Sequence, residues 1–295
     1  MIALRRDQPA LFVSDMHLSD AHPRTARDVL RALDEHARDA AFVFLLGDLF
    51  DAWVGDDALG DPEAETCVRE FADTLRTLAA RGTAVHVMRG NRDFLIGAGF
   101  AAAVGAQLLP DPCVVDLHGT RVVLAHGDAL CTDDTDYQAF RLLARSSDWQ
   151  ARFLSRPLAD RLASARAMRE ESEQRKSAKP AELMDVNETA VANLLRECAA
   201  QVLIHGHTHR PAFHRGLLDA APTQRWVLPD WDEAAGRGGV LLAREGVLSP
   251  AGRWPLPAPA PQALPDTQAL PGTQALPGTQ ALPDTQALPV RQTPP

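Results

Sequence analysis

Short apolar runs recur along roughly the first 250 residues, each ending in polar or glycine-containing punctuation, and longer amphipathic stretches lie between them. Short runs bounded by turn signals read as buried strands, whereas apolar residues spaced three and four apart read as one face of a helix. Strands are predicted at Ala10–Asp15, Phe42–Gly47, Ala84–Arg89, Cys113–Leu117, Arg121–Ala125, Gln201–Ile204, Arg225–Leu228 and Gly239–Ala243. Helices are predicted at Pro23–Arg38, Glu63–Arg81 and Pro180–Ala200. In the last of these, Met184, Val191, Leu195 and Cys198 form a stripe assigned to core, with Pro180 suited to a first turn. The alternation argues for α/β layering of parallel type and against an all-β sandwich.

Two regions break the alternation. Between Tyr137 and Lys179 the pattern has no strand and is helical and arginine-rich, so residues 137–179 are expected to be an inserted helical cap. From Arg141 to Lys179 there are 10 basic and 5 acidic residues, with Leu142, Leu143, Trp149, Phe153, Leu154, Leu158 and Leu162 interleaved. That mixture suits an apolar ligand and an anionic membrane surface; a packed hairpin with solvated arginines is the plainer alternative. The second region follows the body at 1–255. The last 40 residues hold 10 of the 22 prolines, and QALPDT opens five six-residue copies from Gln262, the last ending as QALPVR. Proline at that spacing cannot sustain a helix, so 256–295 is expected to be a solvated, partly polyproline II tail.

Composition excludes several classes. The chain has 295 residues, enough for one large core, and a formal net charge of −9, which argues against general nucleic-acid binding. No apolar stretch approaches the roughly 20 residues of a membrane span. The start, MIALRRDQPALF, breaks at Asp7 before a signal-like apolar core, and Cys67, Cys113, Cys131 and Cys198 lie far apart. A cytoplasmic protein is expected. No protein partner is legible.

Five polar segments each follow a predicted strand: SDMH at 14–17, GDLFD at 47–51, RGNRD at 89–93, AHGD at 125–128 and HGH at 205–207. Residues at i and i+2 of an extended chain point the same way, so Asp15 with His17, and His205 with His207, are expected to aim at one point. Ligands of open α/β sheets gather at the carboxyl ends of strands, where Asp15, His17, Asp48, Asn91, His126, His205 and His207 would converge. Imidazoles mixed with carboxylate and amide oxygens suit Mn²⁺, Fe²⁺ or Zn²⁺ better than Mg²⁺ or Ca²⁺, and Mn²⁺ is the first choice. Seven ligands are too many for one open catalytic ion but divide between two if a carboxylate bridges.

DxH, GDxxD, GN[RH], H and HGH in this order resemble the calcineurin-like metallophosphoesterase superfamily. The resemblance implies an α/β sandwich of two mixed sheets flanked by helices. The longer forms SDMHLSD, GDLFDAWVGDD, GNRDFL, HGDALCTDD, MDVN and HGHTHRPA are similar to its lipid A biosynthesis branch. That branch implies a peripheral enzyme of the inner membrane, splitting the pyrophosphate of a UDP-linked diacylated glucosamine lipid by water attack at the α-phosphorus. It further implies a first ion on Asp15, His17, Asp48 and His207, and a second on Asp48, Asn91, His126 and His205. Substrate contacts are implied at Asn91, Arg92, Asp134, Ser172, Lys176, Lys179 and His205, and a catalytic group of Asp48, Asn91, Arg92 and His126. Arg92 stands where many related phosphatases carry His. Arginine cannot act as an acid near neutrality, which fits an anhydride whose leaving phosphate needs charge stabilisation more than a proton. Two alternatives remain: a dinuclear enzyme acting on soluble nucleotides, and a non-catalytic scaffold.

Overall fold

The computed structural model describes residues 1–61, 64–178, 184–255 and 257–265, and for 171–178 the helical backbone alone. One sheet has the order β1 (Ile2–Leu4), β6 (Cys113–Leu117), β7 (Thr120–Ala125), β8 (Val202–His205), β10 (Ala221–Val227) and β9 (Ala212–Leu218). The other has β13 (Gln262–Ala263), β12 (Val247–Arg253), β11 (Gly238–Arg244), β2 (Ala10–Val13), β3 (Phe42–Leu46), β4 (Ala84–Met88) and β5 (Ala106–Leu109). Both are mixed: β2, β3, β4 and β5 run parallel, whereas β2 with β11 and β9 with β10 are antiparallel.

The strand pleat separates two faces. Phe12, Phe44 and Leu46 point toward the other sheet and pack with Val122, Leu124, Ile204 and Trp226. Their neighbours Leu11, Val13, Val43 and Leu45 point away and pack on Val29 and Leu33 of α1 (Pro23–His36), Phe71 and Leu75 of α2 (Thr66–Ala80), and Phe100 of α3 (Ala98–Val104). On the far side, Val123, Ala125 and Leu203 pack on Val191 and Leu195 of α7 (Glu188–Glu197). A strand covered on both faces reads as an unbroken apolar run, and this is why these strands were legible.

The first predicted helix begins at Pro23, as expected. The expected start of the second, Glu63, lies outside the described residues; its first turn opens at Thr66, where the Asp20 carboxylate accepts the Thr66 and Cys67 N–H groups from 46 and 47 residues away. The third begins at Glu188, where the Asn187 side chain caps Thr189 and Ala190, so Met184 precedes the helix and lines a cavity instead of extending the core stripe. Pro180 lies outside the described residues. Five strands went unpredicted: β1, β5, β9, β12 and β13. They are short, edge-placed or interrupted, as by Pro250 and Gly252 in β12.

The expected insertion is helical, as α4 (Thr135–Ala144), α5 (Ser147–Leu154) and α6 (Leu158–Ala178). Its arginines divide: Arg152, Arg156 and Arg166 are exposed, whereas three others reach inward. Arg145 donates to the Gly90 carbonyl (3.1 Å) and the Asp128 carboxylate (3.2 Å), and Arg161 donates to Val54 O (2.6 Å) and pairs with Asp57. Arg169 pairs with Asp51. The tail expectation is also corrected in part: the first copy of the repeat is docked on the sheet edge, and 266–295 lies outside the described residues.

Candidate metal centre

At the carboxyl ends of β2, β3, β4, β7 and β8, five loops meet. Asp15, His17, Asp48, His207 and His209 all adopt left-handed backbone conformations, with φ of 52°, 46°, 53°, 69° and 54°. For residues with a Cβ this costs about 1 kcal/mol or more each, and it persists only where surrounding structure enforces it. Asp15 N–H donates to Gly47 O (3.1 Å) and His17 N–H to Asp48 O (3.0 Å), so the Ser14–His17 loop is laid along the Gly47–Asp48 turn. Gly47, at φ 86°, admits no side chain, since a Cβ there would stand 2.6 Å from His126 Nδ1 and 2.7 Å from Gly90 Cα.

The pairing of Asp15 with His17 therefore has a different origin from the one expected. Strand β2 ends at Val13, and the two side chains are brought together by left-handed turns, not by alternation along an extended chain.

Two side-chain clusters result. Asp15, His17 and His209 form one, and Asp48, His126 and His207 the other; within each, the potential ligand atoms lie within 4.8 Å of one another. His209 Nε2 is 3.1 Å from His17 Nε2 and 3.6 Å from Asp15 Oδ1. Asn91 Oδ1 joins the second cluster, 3.0 Å from His126 Nε2 and 2.7 Å from His207 Nδ1. Asp48 stands between them, with Oδ2 3.9 Å from His17 Nε2 and Oδ1 3.5 Å from His126 Nε2.

Imidazole nitrogens and carboxyl and amide oxygens converging at this spacing are the donor set of borderline transition-metal cations. The residues fit a dinuclear centre with Asp48 shared. Supporting contacts fix the donors. His126 Nδ1 is 2.9 Å from Leu46 O, which leaves Nε2 facing the cluster, and His209 Nδ1 faces Asp230 (3.6 Å), itself gripped by Arg237. The buried carboxylate of Asp93 accepts the N–H groups of Gly90 (2.6 Å), Leu49 (2.7 Å) and Asp48 (3.3 Å), so one side chain clamps the GDLFD and GNRD loops together.

Burial holds the imidazoles of His17 and His207 at about 4 and about 3, which keeps them neutral and ready to ligate at physiological pH. His126 behaves oppositely. Burial alone would lower it, but the Asp48 and Asp128 carboxylates outweigh that and hold it at about 9. Asp93 is pushed up to about 7 by burial and by the Asp48 charge.

A calcineurin-like phosphoesterase family model matches residues 9–211. The chain belongs to the calcineurin-like phosphoesterases. As a member of this family it is a metal-dependent hydrolase. Within the family, it is similar to proteins named UDP-2,3-diacylglucosamine hydrolase. The one from Chromohalobacter salexigens is 46% identical over 228 residues, covering 77% of this chain and 90% of the relative. That from Chromobacterium violaceum is 47% identical over 236 residues, 80% and 94% of the two chains, and that from Bordetella pertussis 44% identical over 243, 81% and 93%.

Asp15, His17, Asp48, Asn91, His126 and His207, six of the seven expected ligand residues, stand in or against these two clusters. In this structure His207 lies beside Asp48 and His126, and His209, the third histidine of HGHTH, lies beside Asp15 and His17. The seventh, His205, ends β8 with Nδ1 2.9 Å from Gly206 O, and its Nε2 is buried with no hydrogen-bond partner among the described residues, a free donor atom at the carboxyl end of the strand. His209 was not singled out in the sequence, although the i+2 spacing of HGHTH carried a signal for it.

A cavity of about 420 Å³ opens beside the clusters, and its lining includes Asn91, Arg92, His207 and His209 together with the apolar Trp53, Phe94, Phe140, Trp149, Phe153 and Met168. Asp134 lines it and also caps α4 through Tyr137 N–H (3.1 Å). His205, expected as a substrate contact, does not line it. Ser172 and Lys176 lie on α6 where the backbone alone is described, and Lys179 lies outside the described residues.

Proposed function

We propose that this protein hydrolyses the pyrophosphate bond of UDP-2,3-diacylglucosamine, releasing UMP and 2,3-diacylglucosamine 1-phosphate for lipid A biosynthesis. The single observation carrying the reading is the Asp48 carboxylate placed between His17 and His126, beside a cavity lined by Asn91, Arg92 and His207 as well as by aromatic side chains. The printed names of the relatives supply the substrate class.

Asp15, His17, Asp48 and His207 would hold one divalent cation, and Asp48, Asn91, His126 and His205 a second, with Mn²⁺ the preferred metal; the buried, unpartnered Nε2 of His205 supports its place as a donor. Such a pair polarises phosphoryl oxygens and acidifies an attacking water. The catalytic group is Asp48, Asn91, Arg92 and His126. Water adds to the α-phosphorus and the bond to the bridging oxygen breaks, leaving with the sugar phosphate. Arg92 lines the cavity one residue after Asn91, and its guanidinium offsets charge on the departing phosphate without donating a proton. Asp134, Ser172, Lys176 and Lys179 complete the nucleotide and headgroup contacts, and the aromatic wall receives acyl chains, each buried methylene being worth about 0.8 kcal/mol.

Residues 1–255 form the catalytic body and α4–α6 its cap, set against the cytoplasmic surface of the inner membrane. Five of the seven large apolar side chains exposed among the described residues support this placement: Phe140, Leu142, Leu143, Leu154 and Leu162 all lie on α4–α6. No described helix is long and apolar enough to cross a membrane. Incubation with Mn²⁺ and UDP-2,3-diacylglucosamine should yield UMP, seen by phosphorus NMR, and in ¹⁸O-water the label should enter UMP. Turnover of soluble nucleotides with none of the lipid would favour the alternative dinuclear enzyme, and label in the sugar phosphate would place attack at the β-phosphorus.

A further inference from the structure

The four described residues of the first hexapeptide copy, Gln262 to Pro265, all make contacts with the body. Gln262 and Ala263 pair antiparallel with Leu248 and Val247 at the open edge of β12. The Gln262 amide accepts from Arg215 of β9, and the Ala263 carbonyl accepts from the Gln224 side chain of β10 (2.7 Å). Leu264 N–H donates to Gly246 O (2.8 Å) while its side chain packs on the core between the sheets, and the Pro265 carbonyl accepts from Thr120 Oγ (3.0 Å). Groups from both sheets thus read Gln-Ala-Leu-Pro. In all five copies, starting at 262, 268, 274, 280 and 286, these four residues are identical, and variation is confined to the last two, as Asp-Thr, Gly-Thr or Val-Arg. The four described residues that touch the body are the four that repeat without change.

We infer that the β12 edge, with Thr120, Arg215 and Gln224, is a binding site for the tetrapeptide Gln-Ala-Leu-Pro, and that the chain's own later copies exchange into it in place of the first. Each copy offers the same backbone pairing, leucine and proline carbonyl, so the states differ chiefly in loop length. The Leu248–Gln262 pair closes 14 residues, and each later copy adds six. Loop-closure weight falls as the three-halves power of length, so the second, third and fourth copies should occupy the site about 0.6, 0.4 and 0.3 times as often as the first. Tethering at millimolar effective concentration favours the chain's own copies over those of another molecule. Exchange of this kind keeps a sheet edge covered whichever copy is docked.

Cysteine trapping in the full chain tests this. Val247→Cys is combined in turn with Ala263→Cys, Ala269→Cys, Ala275→Cys and Ala281→Cys, the disulfide is formed under mild oxidation, and the bridged peptides are quantified by mass spectrometry. Retained metal-dependent hydrolysis serves as the fold control. All four pairs should bridge within one chain, with yields falling about three-fold from the first copy to the fourth. Adding Leu264→Asp should raise the 247–269 yield about 1.7-fold by expelling the first copy. Bridging at 263 alone, unchanged by Leu264→Asp, overturns the exchange. Bridges found only between two chains overturn the intramolecular occupant.

Discussion

The loops at the strand ends and the helical cap beside them solve opposite problems. Around Asp48 the backbone and most donors are held: left-handed turns, the Asp93 clamp and the Leu46 carbonyl on His126 leave few degrees of freedom. On α4–α6, Leu142 is 73% exposed and Leu143 54%, although Phe153 on the same insertion is buried and stacked on Trp149. A centre for divalent cations gains from preorganised donors, whereas exposed apolar area is stabilised only when something covers it, as the proposed lipid substrate would. The arginines connect the two regions. Arg145, Arg161 and Arg169 point inward to Gly90, Val54, Asp57 and Asp51, tying the exposed element to the loops that carry the donors.

The largest expected effect is at the shared carboxylate. Asp48→Ala should lower kcat by at least about a thousand-fold, the scale of several kcal/mol of transition-state stabilisation, and reduce bound Mn²⁺ below two per chain by elemental analysis. A mutant retaining most of its kcat removes Asp48 from the centre. Next comes the histidine grouping: His205→Ala should lose about one metal equivalent, while His209→Ala keeps two. The reverse result would place His209 with Asp15 and His17 as a ligand and remove His205.

The cap should divide according to burial. Phe153→Asp places a charge in a packed stack and should cost about 3 kcal/mol or more, seen as a fall in Tm. Leu142→Asp with Leu143→Asp should leave Tm and metal content unchanged, weaken sedimentation with anionic vesicles, and raise KM for the diacyl substrate about ten-fold. A parental KM and vesicle affinity would make the exposed leucines incidental. Reversing Arg152 and Arg156, both exposed, should weaken vesicle binding by roughly 1 kcal/mol each at low salt.

The smallest effect is a proton. In the metal-free protein His126 is protonated below about 9, whereas His17 and His207 are already neutral above about 4 and about 3. Filling both sites at pH 7.5 should therefore release about one proton, and apparent affinity should rise as pH approaches 9. Calorimetry in buffers of different ionisation enthalpy measures this; release of three protons would mean that His17 and His207 are also charged beforehand. The same sign applies to stability without metal. A folded value raised above the ordinary 6.5 makes the His126 contribution complete at low pH and lost as pH rises through about 9.

The central strands, the helical stretch and the strand-end positions of the candidate donors were legible in the chain because each is a local property. Strands buried on both faces leave apolar runs, an insertion interrupts the alternation, and chemistry at strand ends leaves Asp, Asn and His beside glycine. The edge strands left no such trace, since β12 contains proline and glycine and β13 has only two residues. Which imidazole joins which carboxylate depended on the left-handed turns at Asp15, His17, His207 and His209, conformations that residues with a Cβ adopt only when packing compels them. The start of α2 depended on Asp20, and the direction of the cap arginines on partners roughly 50 to 100 residues away. Hydrophobic period and residue chemistry are written along the chain; ligand grouping, long-range capping and the docking of the first repeat arise from approaches between distant segments, which only the folded packing decides.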